Sequence, residues 1–514
     1  MMEEKKWMDI PAEKFTFAQL DTKIHDTKLE TKPIGYFKDA WLRFRKNQSA
    51  VVAFSLIVIL LLFAIIVPYV SNMTVTFRDG YYKTVLPKNP LVAGLGFWDG
   101  GASQQESQSG YDYLNSIGVE TGRNIIMKVK DTFVDATGST YYNLKVDSYL
   151  KVGYVFVNVT RDEYDAIMDY QDKTGIQLIY PLQQTHLTDY VMGNGGANFW
   201  YTLADPSRTS SGAAAYDENG NYIPNYITSD DPNRADYRSQ RIAGDNGGED
   251  GNTWYVYAQK NQAGYKIRVD YYEYFIYKNG FEPVFYFGTN VYGQDIFTCL
   301  AAGARLSFIL AICVASINFV IGACYGSIEG YYGGWIDIVM ERVSDVLSAV
   351  PFMVVATLFQ LHLAEKVGVL PALLFAFILT GWVGTASRVR MQFYRFKGQE
   401  YVLAARTLGA SDRRLIFKHI FPNSLGTIIT SVVLSVPGVI FSESMLSYLH
   451  IINLETSSLT SIGTMLSNGQ GYLSTFPHII MFPALFISIL EISFNLFGNG
   501  LRDAFNPSLR GADE

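Results

Sequence analysis

Cysteine is scarce in this chain of 514 residues: Cys299, Cys313 and Cys324 all fall at or inside one apolar run. The long polar stretch 72–284 has none, so it must fold on its own core without disulfides, which suits a Gram-positive surface. No G-x-x-x-x-G-K-[ST] occurs, so the chain carries no phosphate-cradling P-loop. No G-x-S-x-G elbow offers a nucleophilic serine. The six histidines are scattered, and none pairs at metal-ligand spacing with cysteine or carboxylate. The first apolar run also lacks an Ala-x-Ala cleavage site and follows about fifty residues, many of them charged, so it reads as a retained anchor rather than a signal peptide.

What remains is of two materials. Several nearly charge-free runs of about twenty residues are long enough to cross roughly 30 Å of hydrocarbon as helix. One is 51–70; the others lie between about 305 and 498. Between them, 72–284 has no run of that length and is rich in Tyr, Asp, Asn and Gly. It holds 26 acidic and 18 basic residues, a net of −8 against −7 for the whole chain, so the rest is close to +1. This balance gives no footing for nucleic acid. Basic residues cluster before span 1 (Lys38, Arg43, Arg45, Lys46), after span 4 (Arg388, Arg390, Arg395, Lys397), over 400–423 and after span 6 (Arg502, Arg510). Lys and Arg mark the cytoplasmic side. One arrangement satisfies all of them: six spans, both termini cytoplasmic, and the polar stretch outside.

Residues 1–33 read as polar and irregular. In 35–47, Tyr36, Phe37, Ala40, Trp41 and Phe44 recur at helical spacing, which predicts an amphipathic helix on the cytoplasmic leaflet. The external region reads as mixed α and β, with strands over 141–159 and 253–277 from their β-branched and aromatic content. Thr160, Glu163 and Gly175 predict a capped helix between them. The Gly/Asn/Asp/Ser-rich tract 205–252 reads as long loops. Gly322, Gly326 and Gly330, four apart, form a face that lets another helix approach closely. Pro351 in span 3 and Pro437 in span 5 are expected to kink or unwind those helices. Glu491 lies well inside span 6 and Glu443 near the outer part of span 5. A carboxylate in a membrane is either functional or hydrogen-bonded internally. Both readings stand for Glu491; closeness to the interface favours internal bonding for Glu443. LSNGQ (466–470) resembles an ATPase signature only superficially, having no P-loop beside it.

The stretch EYVLAARTLGASDRRLIFKHIFPN, 400–423, is polar, basic and set between two spans. It reads as two short helices broken at Gly409. Small residues Ala404, Ala405 and Ala410 permit close docking, and Glu400, Arg406, Arg413 and Arg414 offer ion-pair partners. In Glu400, Ala404, Ala405, Gly409, Ala410, Ser411, His419, Pro422 and Asn423 it resembles the EAA loop of ABC-importer permeases of the dipeptide/oligopeptide/nickel group. His419 and Phe421 stand where the general pattern has Ile and Leu. FRKNQSAVVAFSLIVILLLFAIIVPYV (44–70) is similar to the N-terminal segment of the C-type oligopeptide permease. FGTNVYGQDIFTCLAAGARLSFI (287–309) resembles that family too, with Asn290 and Gln294 replacing Asp and Arg. So do 330–351 and 494–510, with Asn499 where Asp is common.

The resemblance covers 35–70 and 285–510. It implies a membrane all-α protein with the six-transmembrane-helix type I ABC importer permease fold, carrying an inserted extracellular α+β domain between spans 1 and 2. The domains would be a cytoplasmic segment (1–49), transmembrane helix 1 (50–70), the insert (71–284) and a permease core (285–510). The chain would be one permease subunit of an oligopeptide importer in the cell membrane, and not an enzyme. Its partners would be a second homologous permease, two ABC ATPase subunits and an extracellular substrate-binding lipoprotein. ATP and Mg would be bound by the ATPases and no cofactor by this chain. ATPase coupling would rest on Glu400, Ala404, Ala405, Arg406, Gly409, Ala410, Ser411 and Pro422, helix packing on Gly322, Gly326 and Gly330, and Glu491 would be a pathway candidate. Two alternatives stand beside it: an importer of nickel or another small solute, and a membrane-anchored receptor working through its external domain.

Overall fold

The computed structural model describes residues 36–182, 218–220, 226–229, 237–239, 254–262, 264–454 and 459–505. The irregular segment expected over 1–33 lies outside these, as does most of the tract 205–252. Helix α1 (Tyr36–Lys46) is followed after Asn47 by α2 (Gln48–Val70). The Asn47 side chain accepts from Ala50 N–H at 3.2 Å and caps α2. The apolar face of α1 does more than lie flat: Ala40 and Phe44 pack with Ala50 and Ala504, and Phe44 meets the Phe497 ring at 5.6 Å. This helix is thus docked on the end of the last span, with Trp41 left half-exposed.

The insert has β1 (Gly101–Ser107), α3 (Gln108–Thr121), β2 (Ile126–Val134), β3 (Thr140–Asp147), β4 (Tyr154–Val159), α4 (Arg161–Thr174), β5 (Ile179–Tyr180), β6 (Thr228–Ser229), β7 (Tyr237–Ser239), β8 (Trp254–Lys260), β9 (Tyr265–Asp270) and α5 (Tyr271–Asn279). An antiparallel sheet β1-β3-β2 carries α3 on one face through Leu114, Ile117, Leu144 and Val146. A second sheet runs β4-β9-β8-β6, with β5 beside β9 and β7 beside β8. Its core is aromatic: Tyr82, Tyr149, Tyr164, Tyr257, Phe275 and Phe285 are buried together. The two sheets are tied by charge. Glu120 on α3 receives Arg268 of β9 in two hydrogen bonds of 2.7 and 2.6 Å, and the guanidinium lies 3.9 Å from the Tyr154 ring centre. Arg123 likewise bonds Asp270 at 2.7 Å and reaches Glu273. Arg268 is fully buried, so removing either partner would strand a desolvated charge.

Thr160 and Glu163 form the expected capping box, and α4 ends at Gly175 in the left-handed conformation. The run 253–277 is not strand throughout. From Tyr271 onward it is helical, over Tyr271–Asn279, because the Asp270 side chain accepts from Tyr272 N–H and caps it, and Gly280 at φ 77° ends it. Aromatic richness favours strands only as a tendency, and the cap overrides it.

The spans follow: α6 (Ile296–Tyr332), α7 (Gly334–Ser348), α8 (Phe352–His362), α9 (Ala364–Val367) and α10 (Val369–Phe396). Then come α11 (Glu400–Thr407), α12 (Asp412–Tyr448), α13 (Ile462–Gly469) and α14 (His478–Phe505). Among the described residues five helices (α2, α6, α10, α12, α14) are long and apolar enough to cross a membrane, and α7 with α8, bent by 71°, would make a sixth if the pair is one span. The bend sits at Pro351, whose extended backbone starts α8 and cannot continue α7. At Pro437 the disturbance is smaller: the helix is interrupted at Leu434, between Phe421–Val433 and Ser435–Tyr448, while Asp412–Tyr448 remains a single span. LSNGQ falls within and just beyond α13, a short helix with Ser467 and Gly469 buried.

Candidate functional site

The stretch 400–423 begins at Gln399, whose extended backbone starts α11. The helix stops in a Schellman motif. Gly409 takes φ 81°, its N–H bonds Arg406 O at 3.0 Å, and Ala410 N–H bonds Ala405 O at 3.0 Å. A Cβ on Gly409 would meet open space, so the glycine is required by its backbone and not by packing. Ser411 is extended, and α12 begins at Asp412. The second helix is therefore not short. It passes through a wider, π-helical turn at Leu415–Ile420 and continues into the fifth span.

One face of this pair is buried and the other open. Val402, Leu415, Ile416 and Ile420 pack with Val389 and Phe393 of α10 and Tyr331 of α6, with Ala405 and Ala410 half-buried beside them. Glu400, Ala404, Arg406, Gly409, Ser411 and Pro422 are exposed. Leu408 at the turn is 88% exposed, and Leu403 and Phe417 are exposed too. A small, apolar and basic surface thus faces away from the chain. Tyr331 clamps both halves: its hydroxyl donates to Asp412 Oδ1 at 2.5 Å, and Arg406 Nη2 donates to that hydroxyl at 3.5 Å. Asn423 Nδ2 ties α12 back to α11 through the Tyr401 hydroxyl at 3.2 Å, and burial pushes that phenol's pKa up.

Beside the clamp is a charge cluster that sequence reasoning missed. Arg390 donates to Asp337 at 2.5 and 2.8 Å and to Glu341 at 2.7 and 3.0 Å, with Glu329 at 3.5 Å. Tyr394 donates to Asp337 at 2.7 Å. The available signal was spacing: Asp337 and Glu341 lie four apart, as do Arg390 and Tyr394. At the same end, Arg388, Arg395 and Arg502 line a cavity of about 420 Å³ with Thr427, Thr430 and Ser431.

Gly322, Gly326 and Gly330 face α10. A Cβ on them would fall 2.8 Å from Trp382 O, 2.2 Å from Ala386 O and 2.8 Å from Arg390 O respectively. Glu443 is buried and accepts Ser307 from α6 at 2.9 Å and Ser447 at 3.2 Å. Glu491 is half-buried, and its Oε1 is enclosed with no hydrogen-bond partner among the described residues. Asn290 Nδ2 donates to Gln294 Oε1 at 2.9 Å, and Gln294 Nε2 donates to Val75 O at 2.9 Å.

The chain belongs to the membrane subunits of binding-protein-dependent transport systems. Residues 322–511 match the family described as binding-protein-dependent transport system inner membrane component. Residues 35–87 match the N-terminal transmembrane domain of oligopeptide transport permease C. The chain is 43% identical to the oligopeptide transport system permease protein OppC of Bacillus subtilis over 225 residues, 44% of this chain and 72% of that one. Against the B. subtilis dipeptide permease DppC it is 40% identical over 226 residues, covering 44% and 69%. It is also similar to the OppC of Haemophilus influenzae, at 38% over 45% and 72%. Among solved structures, the inward-facing MetNI methionine ABC transporter aligns with a TM-score of 0.34 at 15% identity, covering 40% of this chain and 96% of that one. The chain is thus a permease subunit of the peptide-transport branch with the type I ABC permease fold, and its relatives are transporter subunits rather than enzymes.

Proposed function

We propose that this chain forms half of the translocation pathway of an ATP-driven oligopeptide importer, joined to its ATPases through Glu400–Asn423. The observation that carries this reading is the open face of the α11–α12 pair. It exposes Leu408, Ala404 and Gly409, while its other face is locked to α6 through Tyr331. A surface of small and apolar groups, unpartnered among the described residues, suits close docking by another subunit. Its seating on α6, α10 and α12 carries a push from that subunit into three spans at once. Coupling requires the docked loop to differ in energy between two pathway states. ATP and Mg are held by the ATPases. A second permease supplies the other half of the pathway, and a lipoprotein delivers peptide to the insert's side. The enclosed Glu491 carboxylate is the pathway candidate on the last span.

Ala404 is the position to test, because it is exposed on regular helix, whereas a side chain at Gly409 would strain the turn. In proteoliposomes holding the full complex, Ala404→Arg is expected to cut ATP-dependent uptake of a labelled oligopeptide at least about tenfold, within the usual range of coupling energies. The melting temperature of the purified chain should stay unchanged. Unimpaired uptake would overturn the assignment. Uptake of a nickel salt but no peptide by the unmodified complex would overturn the choice of cargo.

A further inference from the structure

Ten residues of the insert, Asn89 to Trp98, carry no charge: NPLVAGLGFW. They form a fixed projection. Asn89 N–H bonds Trp98 O at 2.8 Å, Lys88 bridges Asp99 across the base, and Lys145 Nζ donates to Gly96 O at 3.0 Å. Yet Leu91 is 91% exposed, Leu95 72% and Phe97 58%. Exposed apolar side chains held together on a pinned loop mark a surface made to be covered.

Its position says by what. The Trp98 ring stacks on Phe287 at 6.2 Å and on Phe482 at 5.9 Å. Phe287 stacks on Phe482 at 4.1 Å and meets Phe297 at 5.0 Å, and Phe297 meets Phe63 at 5.2 Å. Phe482 lies near the start of α14, Phe297 in the first turn of α6, and Phe63 in the last two turns of α2. This aromatic column therefore runs across the ends of three membrane-spanning helices, and the loop extends it outward. The same rim exposes Tyr69 and Tyr286. Aromatic side chains gather at the level where hydrocarbon meets headgroups.

We infer that the Asn89–Trp98 loop dips into the boundary between headgroups and acyl chains of the leaflet on the insert's side, with Leu91, Leu95 and Phe97 among lipid. The loop continues the belt of the spans, so lipid and not a protein is its occupant. The charged groups Lys88 and Asp99 stay at its base, as an interfacial segment requires. The insert is then held down on the bilayer at a point distinct from its two covalent connections to the spans.

The test places the photocrosslinker p-benzoylphenylalanine at Leu91 or Leu95, one at a time. The full importer complex is put in nanodiscs of phosphatidylcholine and phosphatidylglycerol, irradiated, and the chain is read by mass spectrometry. A third variant carries the probe at Thr137 in the β2–β3 turn, about 20 Å along the strands from the loop. Retained co-purification with the other subunits shows that each variant is folded. Lipid adducts at 91 and 95, at least fivefold above those at 137, are expected. Crosslinks from 91 or 95 to the second permease or the binding protein would overturn the inference, as would lipid adducts no more frequent than at 137.

Discussion

At the scale of single residues, glycine decides two things for different reasons. Gly409 is a matter of backbone sign and Gly326 one of space. A methyl on Gly326 would press on Ala386 O, so Gly326→Ala must part α6 from α10. We expect it to cost about 1–3 kcal/mol and to lower the melting temperature of the purified complex. Gly384→Ala on α10, where a Cβ would meet nothing within 4 Å, should leave that temperature unchanged or raise it. Equal losses at both would show that the close approach does not matter. The four-residue glycine spacing was legible because it is a property of one helix. The partner of Glu443 was not. Ser307 comes from another helix, 136 positions away, and the register between two spans is written nowhere locally. The Arg390 cluster was hidden likewise. Its charges looked like topology signals at span ends, and their convergence depends on how α7 folds back against α10.

At the scale of elements, caps and prolines were readable and aromatic runs were not. Thr160, Glu163 and Gly175 set α4 by contacts within three residues of each end, so the helix could be read without knowing the fold. Tyr271–Asn279 has the composition of a strand, and only the Asp270 cap and Gly280 mark it as helix. Pro351 signalled a break but not its angle of 71°, nor that Val355 and Ala356 of α8 would pack with Leu373 and Phe377 of α10. The α4 cap gives a measurable pH effect. Thr160 N–H and its hydroxyl donate to the Glu163 carboxylate and hold its pKa below the usual value. A depressed carboxyl pKa adds stability above the ordinary value and loses it as pH falls through the depressed one. Glu163→Ala should therefore speed amide exchange over 161–174 in the full chain about fivefold at pH 7, matching about 1 kcal/mol for a cap. The difference should shrink on acidification below the ordinary carboxylate range. A mutant effect that grows as pH falls would contradict this.

At the scale of the whole molecule, the insert and the α11–α12 pair sit at opposite ends of α6. This helix is capped by Asp295 beside the insert and ends at Tyr332, next to the clamp residue Tyr331. Its 37 residues span about 55 Å, well beyond the hydrocarbon thickness. We therefore propose that the two regions lie on opposite sides of the membrane, with the pair in the cytoplasm, where its basic residues favour it. Thr137→Cys should then react with a membrane-impermeant maleimide in intact cells, and Ala404→Cys only after permeabilisation. The reverse pattern would invert the topology. The long apolar helices were legible, because apolar length is an average over many residues. How the insert folds against its root was not. Gln294 reaching Val75 and Asp79 N–H bonding Gly293 O join segments more than 200 residues apart.

The clamp at Tyr331 gives α6 a mechanical meaning. A helix gripped at one end by the α11–α12 pair and rooted at the other in the insert works as a lever arm. Tilting it by about five degrees swings the far end by about 5 Å over that length. Under the coupling proposed above, the insert would be a pointer whose angle, read by fluorescence, reports the stroke delivered at the far end of the helix.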